Sequence, residues 1–217
     1  MSHLSDPERS FLRRMREREI LREVRAPEFD LSDGMILATC ADGAQFDDLY
    51  GHLRKVCHQR GLDQARIHAL GLNGGALQIA EESPLNDQLG EDRVYMAHIA
   101  GGRVLKGFHT VVLMAHSPCG AAGLANITLE QEIDYLMLAK QRIRTESDAQ
   151  TTALAQKFGK TIDIPPVKVI CLFHVDYGNG RRTYHVSKEA WSSWYAERGV
   201  SYPKRRGFSH ETGIEMT

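Results

Sequence analysis

Residues 110–120 read TVVLMAHSPCG, and this stretch is the strongest indication of the fold in the sequence. The apolar and β-branched run over residues 110–115 is typical of a strand buried inside a sheet. The run stops at His116, and Cys119 and Gly120 follow after Ser117 and Pro118. The stretch therefore predicts a buried strand with ligand-type side chains immediately after its carboxyl end.

Other predicted strands and helices alternate with this one. The predicted strands cover residues 35–40, 66–70, 110–115, 167–175 and 182–186, the last two joined by an Asn-Gly hairpin turn. The predicted helices cover residues 7–25, 46–60, 92–107, 128–159 with a break or kink near Ser147 and Asp148, and 187–199. This alternation predicts an α/β fold, with a mostly parallel central sheet flanked by helices. In such sheets the functional site lies outside the carboxyl ends of the strands.

The composition excludes several classes of protein. The chain has 217 residues, with 27 Lys and Arg against 28 Asp and Glu, which argues against a general polyanion binder. No apolar run approaches the roughly 20 residues of a membrane helix. The first residues lack the apolar segment of a secretory signal. We therefore expect a cytoplasmic protein whose four cysteines are thiols or metal ligands.

The chain divides into three predicted parts, a helical arm over 1–30, an α/β domain over 31–200 and a basic tail over 201–217. The arm has apolar side chains on two opposed sides of a predicted helix: Phe11, Leu12 and Met15 on one, Ile20, Leu21 and Val24 on the other. One interpretation is a solvated helix with intrahelical ion pairs. The other is a helix that packs on its own domain at one end and on a partner subunit at the other, which predicts a homodimer or a higher even oligomer.

Two strand ends carry candidate metal ligands. Cys40-Ala41-Asp42 ends the strand at 35–40, and His116 and Cys119 follow the strand at 110–115. Two thiolates and an imidazole are ligands that zinc prefers, with a carboxylate or a water as the fourth. The simpler alternative is that both cysteines are buried apolar residues and His116 is a hydrogen-bonded loop residue. Between the two ends, the glycines of residues 71–75 indicate a close backbone approach.

The order Cys-x-Asp, then His-x-x-Cys-Gly, resembles the β-class carbonic anhydrase family. Residues 67–75, 111–120 and 171–180 also resemble family segments, in the family's order. The resemblance implies Zn²⁺ held by Cys40, His116 and Cys119, with Asp42 as a fourth ligand or as hydrogen-bond partner of a zinc-bound hydroxide. It implies a lyase that reversibly hydrates CO₂ to bicarbonate. We also expect Gly74 and Gly75 to bind the substrate.

The sequence departs from the family pattern in two places. Ala44 stands where the family's Cys-x-Asp-x-Arg motif has arginine, and Leu72 replaces the arginine of its Arg-Asn-Ala-Gly loop. Two hypotheses follow: a zinc enzyme acting on CO₂ or a related small electrophile, or a non-catalytic zinc protein of the same fold with Asp42 closing the metal. A third and weaker hypothesis is nucleic-acid association through the arginine-rich arm and the basic residues 204–206.

Overall fold

The computed structural model describes residues 4–24, 34–64, 66–86, 90–161, 163 and 165–201, without the side chains of residues 43–49 and 52. The helices are α1 (Asp6–Glu17), α2 (Gly43–Gln59), α3 (Glu91–Lys106), α4 (Gly120–Leu124), α5 (Leu129–Lys157) and α6 (Lys188–Glu197), with a 3₁₀ helix at Gly75–Ile79. The strands are β1 (Leu21–Glu23), β2 (Met35–Cys40), β3 (Ile67–Leu72), β4 (Thr110–Ser117), β5 (Lys168–Asp176) and β6 (Arg181–Val186). The predicted basic tail lies almost wholly outside the described residues.

The strands form one six-stranded sheet in the order β1-β6-β5-β4-β2-β3. Strands β3, β2, β4 and β5 run parallel, whereas β6 and β1 add an antiparallel edge. Every residue of β4 is buried, as its apolar run predicts. The prediction of a mostly parallel sheet flanked by helices is confirmed.

Helices cover both faces of this sheet. On one face, side chains such as Ile36, Val111 and Phe173 pack with the buried residues of α3 and α5. On the other face, Met35, Leu37, Val112 and Met114 pack with Leu53 and Val56 of α2. The two faces alternate along each strand because successive side chains point to opposite sides. None of the helices in the described ranges is both long and apolar enough to cross a bilayer.

The predicted helix over residues 7–25 is wrong beyond Glu17. A capping box between Ser5 and Glu8 begins α1, and the chain turns at Glu19, whose φ is 55°. The next residues form β1, which pairs antiparallel with β6. The two apolar groups therefore lie on a helix and in or beside a strand. Four of their members are buried in the same core, with Leu12 0%, Met15 0%, Ile20 0% and Leu21 2% exposed, whereas Val24 packs on the opposite face of the sheet. These four side chains need no second subunit to cover them, so the homodimer stays a prediction without that support.

A break in α5 near Ser147 and Asp148, one of the two predicted alternatives, is also wrong, because the helix continues to Lys157. Both side chains accept hydrogen bonds from the guanidinium of Arg103, at 3.0 and 2.6 Å. Arg103 lies on α3 and is only 1% exposed. Polar residues interrupt the apolar pattern of α5 because that helix surface faces a buried cation.

Candidate metal centre

Three ligand-type side chains meet at the carboxyl ends of β2 and β4. Cys40 is the last residue of β2, His116 lies at the end of β4, and Cys119 is the N-cap of α4. Their ligand atoms all lie within 4.8 Å of one another. The residues are 7%, 2% and 6% exposed, so the cluster is almost closed to solvent.

The loop after β3 packs directly on Cys40. Gly74 and Gly75 have φ values of 84° and 55°, which residues other than glycine rarely adopt. A Cβ atom at Gly75 would lie 2.3 Å from the backbone nitrogen of Cys40. The close backbone approach that the glycines indicate is therefore made to the first cysteine. Both glycines are buried, and their binding of a substrate stays a prediction.

The surroundings of Cys40 stabilise a thiolate there. The Cys119 thiol and the backbone amides of Asp42 and Gly74 donate toward its sulfur, and the His116 ring lies beside it. Together these groups lower the pKa of Cys40 to about 3 despite its burial. The same hydrogen bond to Cys40, together with burial, raises the pKa of Cys119. A divalent cation at this position would bind both sulfurs as thiolates.

His116 provides the second sign of a metal site. Both of its ring nitrogens are buried, and neither makes a hydrogen bond of normal geometry with any of the described residues. Buried polar atoms are nearly always satisfied in folded proteins, so such an imidazole indicates a missing partner. Two sulfurs and one imidazole nitrogen are a donor set that fits zinc with a fourth position left over.

A cavity of about 390 Å³ opens beside the cluster. It is lined by Cys40, Ala41, Asp42, Asn73, His116, Gly120, Ala121 and Leu124. Asp42 is exposed on the wall of the cavity, and its carboxylate is not part of the close three-residue group. Leu124 is 89% exposed, so the mouth of the cavity is apolar.

Two further residues contribute to the site but are not identified by the sequence motifs, Tyr95 and Asn73. The Tyr95 hydroxyl accepts from the amide of Leu72 and donates to the carbonyl of Thr39, at 3.1 and 3.3 Å, which ties together the ends of β3 and β2. Its signal in the sequence is an aromatic residue on the buried side of a helix, which is ordinary for a core position. Asn73 lies within the segment that resembles the family loop, but only the folded chain places it on the cavity wall.

Comparisons with known proteins returned solved structures alone, because no family model and no curated protein matches the chain. The wild-type β-carbonic anhydrase CafD of Aspergillus fumigatus is 11% identical, with 77% of this chain and 99% of that chain covered and a TM-score of 0.43. A point mutant of the same enzyme gives the same identity and coverage with a TM-score of 0.42. A carbonic anhydrase from Glaciozyma antarctica is 14% identical, with 85% and 96% covered and a TM-score of 0.31. The solved structures named here are carbonic anhydrases, β-class enzymes among them.

Proposed function

We propose that this chain is a divergent β-carbonic anhydrase that binds one Zn²⁺ through Cys40, His116 and Cys119 and reversibly hydrates CO₂. The observation that carries the proposal is the buried cluster, whose three ligand atoms lie within 4.8 Å of one another. The imidazole of His116, without a hydrogen-bond partner among the described residues, supports a metal rather than a purely apolar packing role.

Bound zinc would supply a Lewis acid that lets water ionise near neutral pH. The chain's own groups prepare the position for it. The amides of Asp42 and Gly74 orient the Cys40 sulfur, and the two thiolates balance the charge of the cation. Ala121 and Leu124 give the cavity an apolar wall that suits a small apolar substrate, whereas Asn73 offers a polar group to a charged product.

A second candidate function is a zinc protein without turnover, in which Asp42 occupies the fourth position. The observation that favours it is the alanine at position 44, which cannot supply the cation that pairs with the aspartate in the family motif. A carboxylate beside Zn²⁺ is attracted to the ion. In this second function the metal would be structural or regulatory.

Metal content and CO₂ hydration distinguish the two. We expect the reduced, purified protein to contain one zinc per chain, and stopped-flow measurements to detect hydration that Cys119→Ala abolishes. Cys57→Ala is the matched control, since Cys57 is also buried but lies outside the cluster. A protein that takes up no zinc would contradict both functions. Stoichiometric zinc without hydration would leave the second.

A further inference from the structure

We propose that His174 is a positioning residue that holds the imidazole of His116 in the orientation for binding the metal. The inference rests on the proposed metal site and assigns a role to a residue outside the two motifs. It follows from the strand register, from the burial of both rings and from the hydrogen bond that fixes His174.

The register makes the two histidines neighbours. Strands β4 and β5 are parallel, and His116 pairs with His174. Adjacent strands lie roughly 4.8 Å apart, and paired residues of parallel strands project from the same face of the sheet. The two imidazoles therefore leave the sheet side by side at its carboxyl edge.

Both rings are enclosed, with His116 2% and His174 3% exposed. Burying an imidazole costs free energy because its ring nitrogens lose their hydrogen bonds to water. A hydrogen bond inside the protein offsets this cost, whereas an apolar side chain at the same position would not incur it. The His174 ring has such a bond, because its Nδ1 lies 2.8 Å from the Thr183 hydroxyl. Thr183 is the residue of β6 that pairs with His174, so a row of three polar residues crosses β4, β5 and β6.

This row lies between two cavities. His116 lines the 390 Å³ cavity of the metal cluster. His174 and Thr183 line another cavity, of about 610 Å³, which none of the three metal-site residues touches. His174 is thus placed to keep His116 turned toward the thiols and away from the second cavity.

His116 needs such support. None of the described residues makes a hydrogen bond of normal geometry with its ring, so its orientation depends on the groups packed beside it. Groups hydrogen-bonded to a metal-binding histidine typically change metal affinity about 10–100-fold when they are removed, and we expect a ring packed beside the histidine to act in the same direction.

The test measures Zn²⁺ binding to the reduced, metal-free protein by competition with a chelating dye, and the absorption spectrum of the Co²⁺-loaded form. We expect His174→Ala to weaken zinc binding by about 10–100-fold and to shift the Co²⁺ d–d bands. Thr183→Val should change both in the same direction but less, because it only frees the His174 ring. His185→Ala is the control, since His185 lies on β6 but pairs with Leu172 instead of His174.

The outcomes separate this inference from the proposed function. A wild type that binds neither Zn²⁺ nor Co²⁺ overturns the metal site and the inference with it. A wild type that binds zinc, with His174→Ala and Thr183→Val equal to it, overturns the inference alone. Equal weakening in His185→Ala also overturns it, because the effect would then be a general loosening of the sheet. If His174→Ala fails to fold, the Thr183→Val comparison decides.

Discussion

Gly75 packs against Cys40 so closely that a Cβ at position 75 would stand 2.3 Å from the Cys40 nitrogen. Gly75→Ala must therefore push the loop away from β2. The backbone φ of 55° at position 75 adds strain, because residues with a side chain rarely adopt it. We expect a loss of about 1–3 kcal/mol in the free energy of unfolding, together with weaker zinc binding.

The matched control for this change is Gly101→Ala. Gly101 lies inside α3, and a Cβ there meets no atom within 4 Å. Alanine is favoured over glycine in a helix by roughly 1 kcal/mol, so the control should stabilise the protein. Urea unfolding of both variants measures the difference. A Gly75→Ala variant as stable as the wild type would contradict the packing argument.

Removing the metal should lower stability, because a site assembled only in the folded state couples metal binding to folding. With zinc in 100-fold excess over its dissociation constant, the coupling is about 2.7 kcal/mol. We therefore expect a chelator to lower the melting temperature of the wild type but not that of Cys119→Ala. If neither the chelator nor added zinc changes the melting temperature, folding and metal binding are not coupled.

Substituting Arg103 should lower the free energy of unfolding more than most substitutions away from the metal centre. Its guanidinium donates to Ser147, Asp148, Thr151 and the Pro165 carbonyl, at distances between 2.6 and 3.3 Å. Arg103→Met would leave several of these acceptors without a donor, each costing about 1–3 kcal/mol when buried. Because Asp148 is half exposed, we expect a total of only about 2–4 kcal/mol.

Arg144→Met on α5 is the control, because Arg144 is exposed. Its unfolding free energy should stay within about 0.5 kcal/mol of the wild type. Chemical denaturation checks both variants, with an unchanged slope against denaturant as evidence that only stability has changed. If Arg103→Met unfolds at the wild-type midpoint, the arginine is not what holds α3, α5 and the segment before β5 together.

The sequence predicted the elements whose apolar pattern reflects the sheet itself. Strand β4 contains an uninterrupted apolar run over residues 111–115, and the rule for parallel sheets was enough to bring His116 toward Cys40. The errors occur where a distant residue decides the local structure. Arg103 explains the polar residues inside α5, and pairing with β6 converts residues 21–23 from predicted helix to strand. The sequence places His174 in a strand next to the hairpin, but its neighbours His116 and Thr183 follow from strand register, which a single sequence does not give.

Asp134 makes stability depend on pH. Its carboxylate accepts hydrogen bonds from Trp191 Nε1 and from the Tyr195 hydroxyl, at 3.0 and 2.7 Å, and so joins α5 to α6. Burial nevertheless raises the pKa of Asp134 from 3.8 to about 6. Between these two values the folded chain holds a proton that the unfolded chain has lost, so this group's contribution to stability falls as the pH rises from about 4 to 6.

The variant Asp134→Asn removes this titration while keeping the size of the side chain. A shift of about two pKa units corresponds to roughly 3 kcal/mol. We expect the unfolding free energy of the wild type, relative to the variant, to fall by up to that amount from about pH 4 to about pH 6. Other acids titrate in both proteins and cancel in the difference. Parallel pH profiles for the two proteins would refute the assignment.

The last prediction concerns the fourth position on the metal. Asp42 lines the cavity of the cluster, and its own backbone amide donates toward the Cys40 sulfur, so its side chain begins close to the metal position. Position 44, two residues further on, carries alanine and supplies no cation to compete for the carboxylate. Because Zn²⁺ attracts a nearby carboxylate, the second candidate function predicts that Asp42 binds zinc at neutral pH and that CO₂ hydration by the wild type is slow. Ala44→Arg should draw the carboxylate away and raise the hydration rate, while Ala44→Gln, of comparable length but uncharged, should not. Asp42→Asn should open the metal without restoring a fast rate, since it removes the group that would orient the attacking water. Stopped-flow hydration across pH checks all three variants. Rapid turnover by the wild type at neutral pH, or equal rates for Ala44→Arg and Ala44→Gln, would show that Asp42 does not close the site.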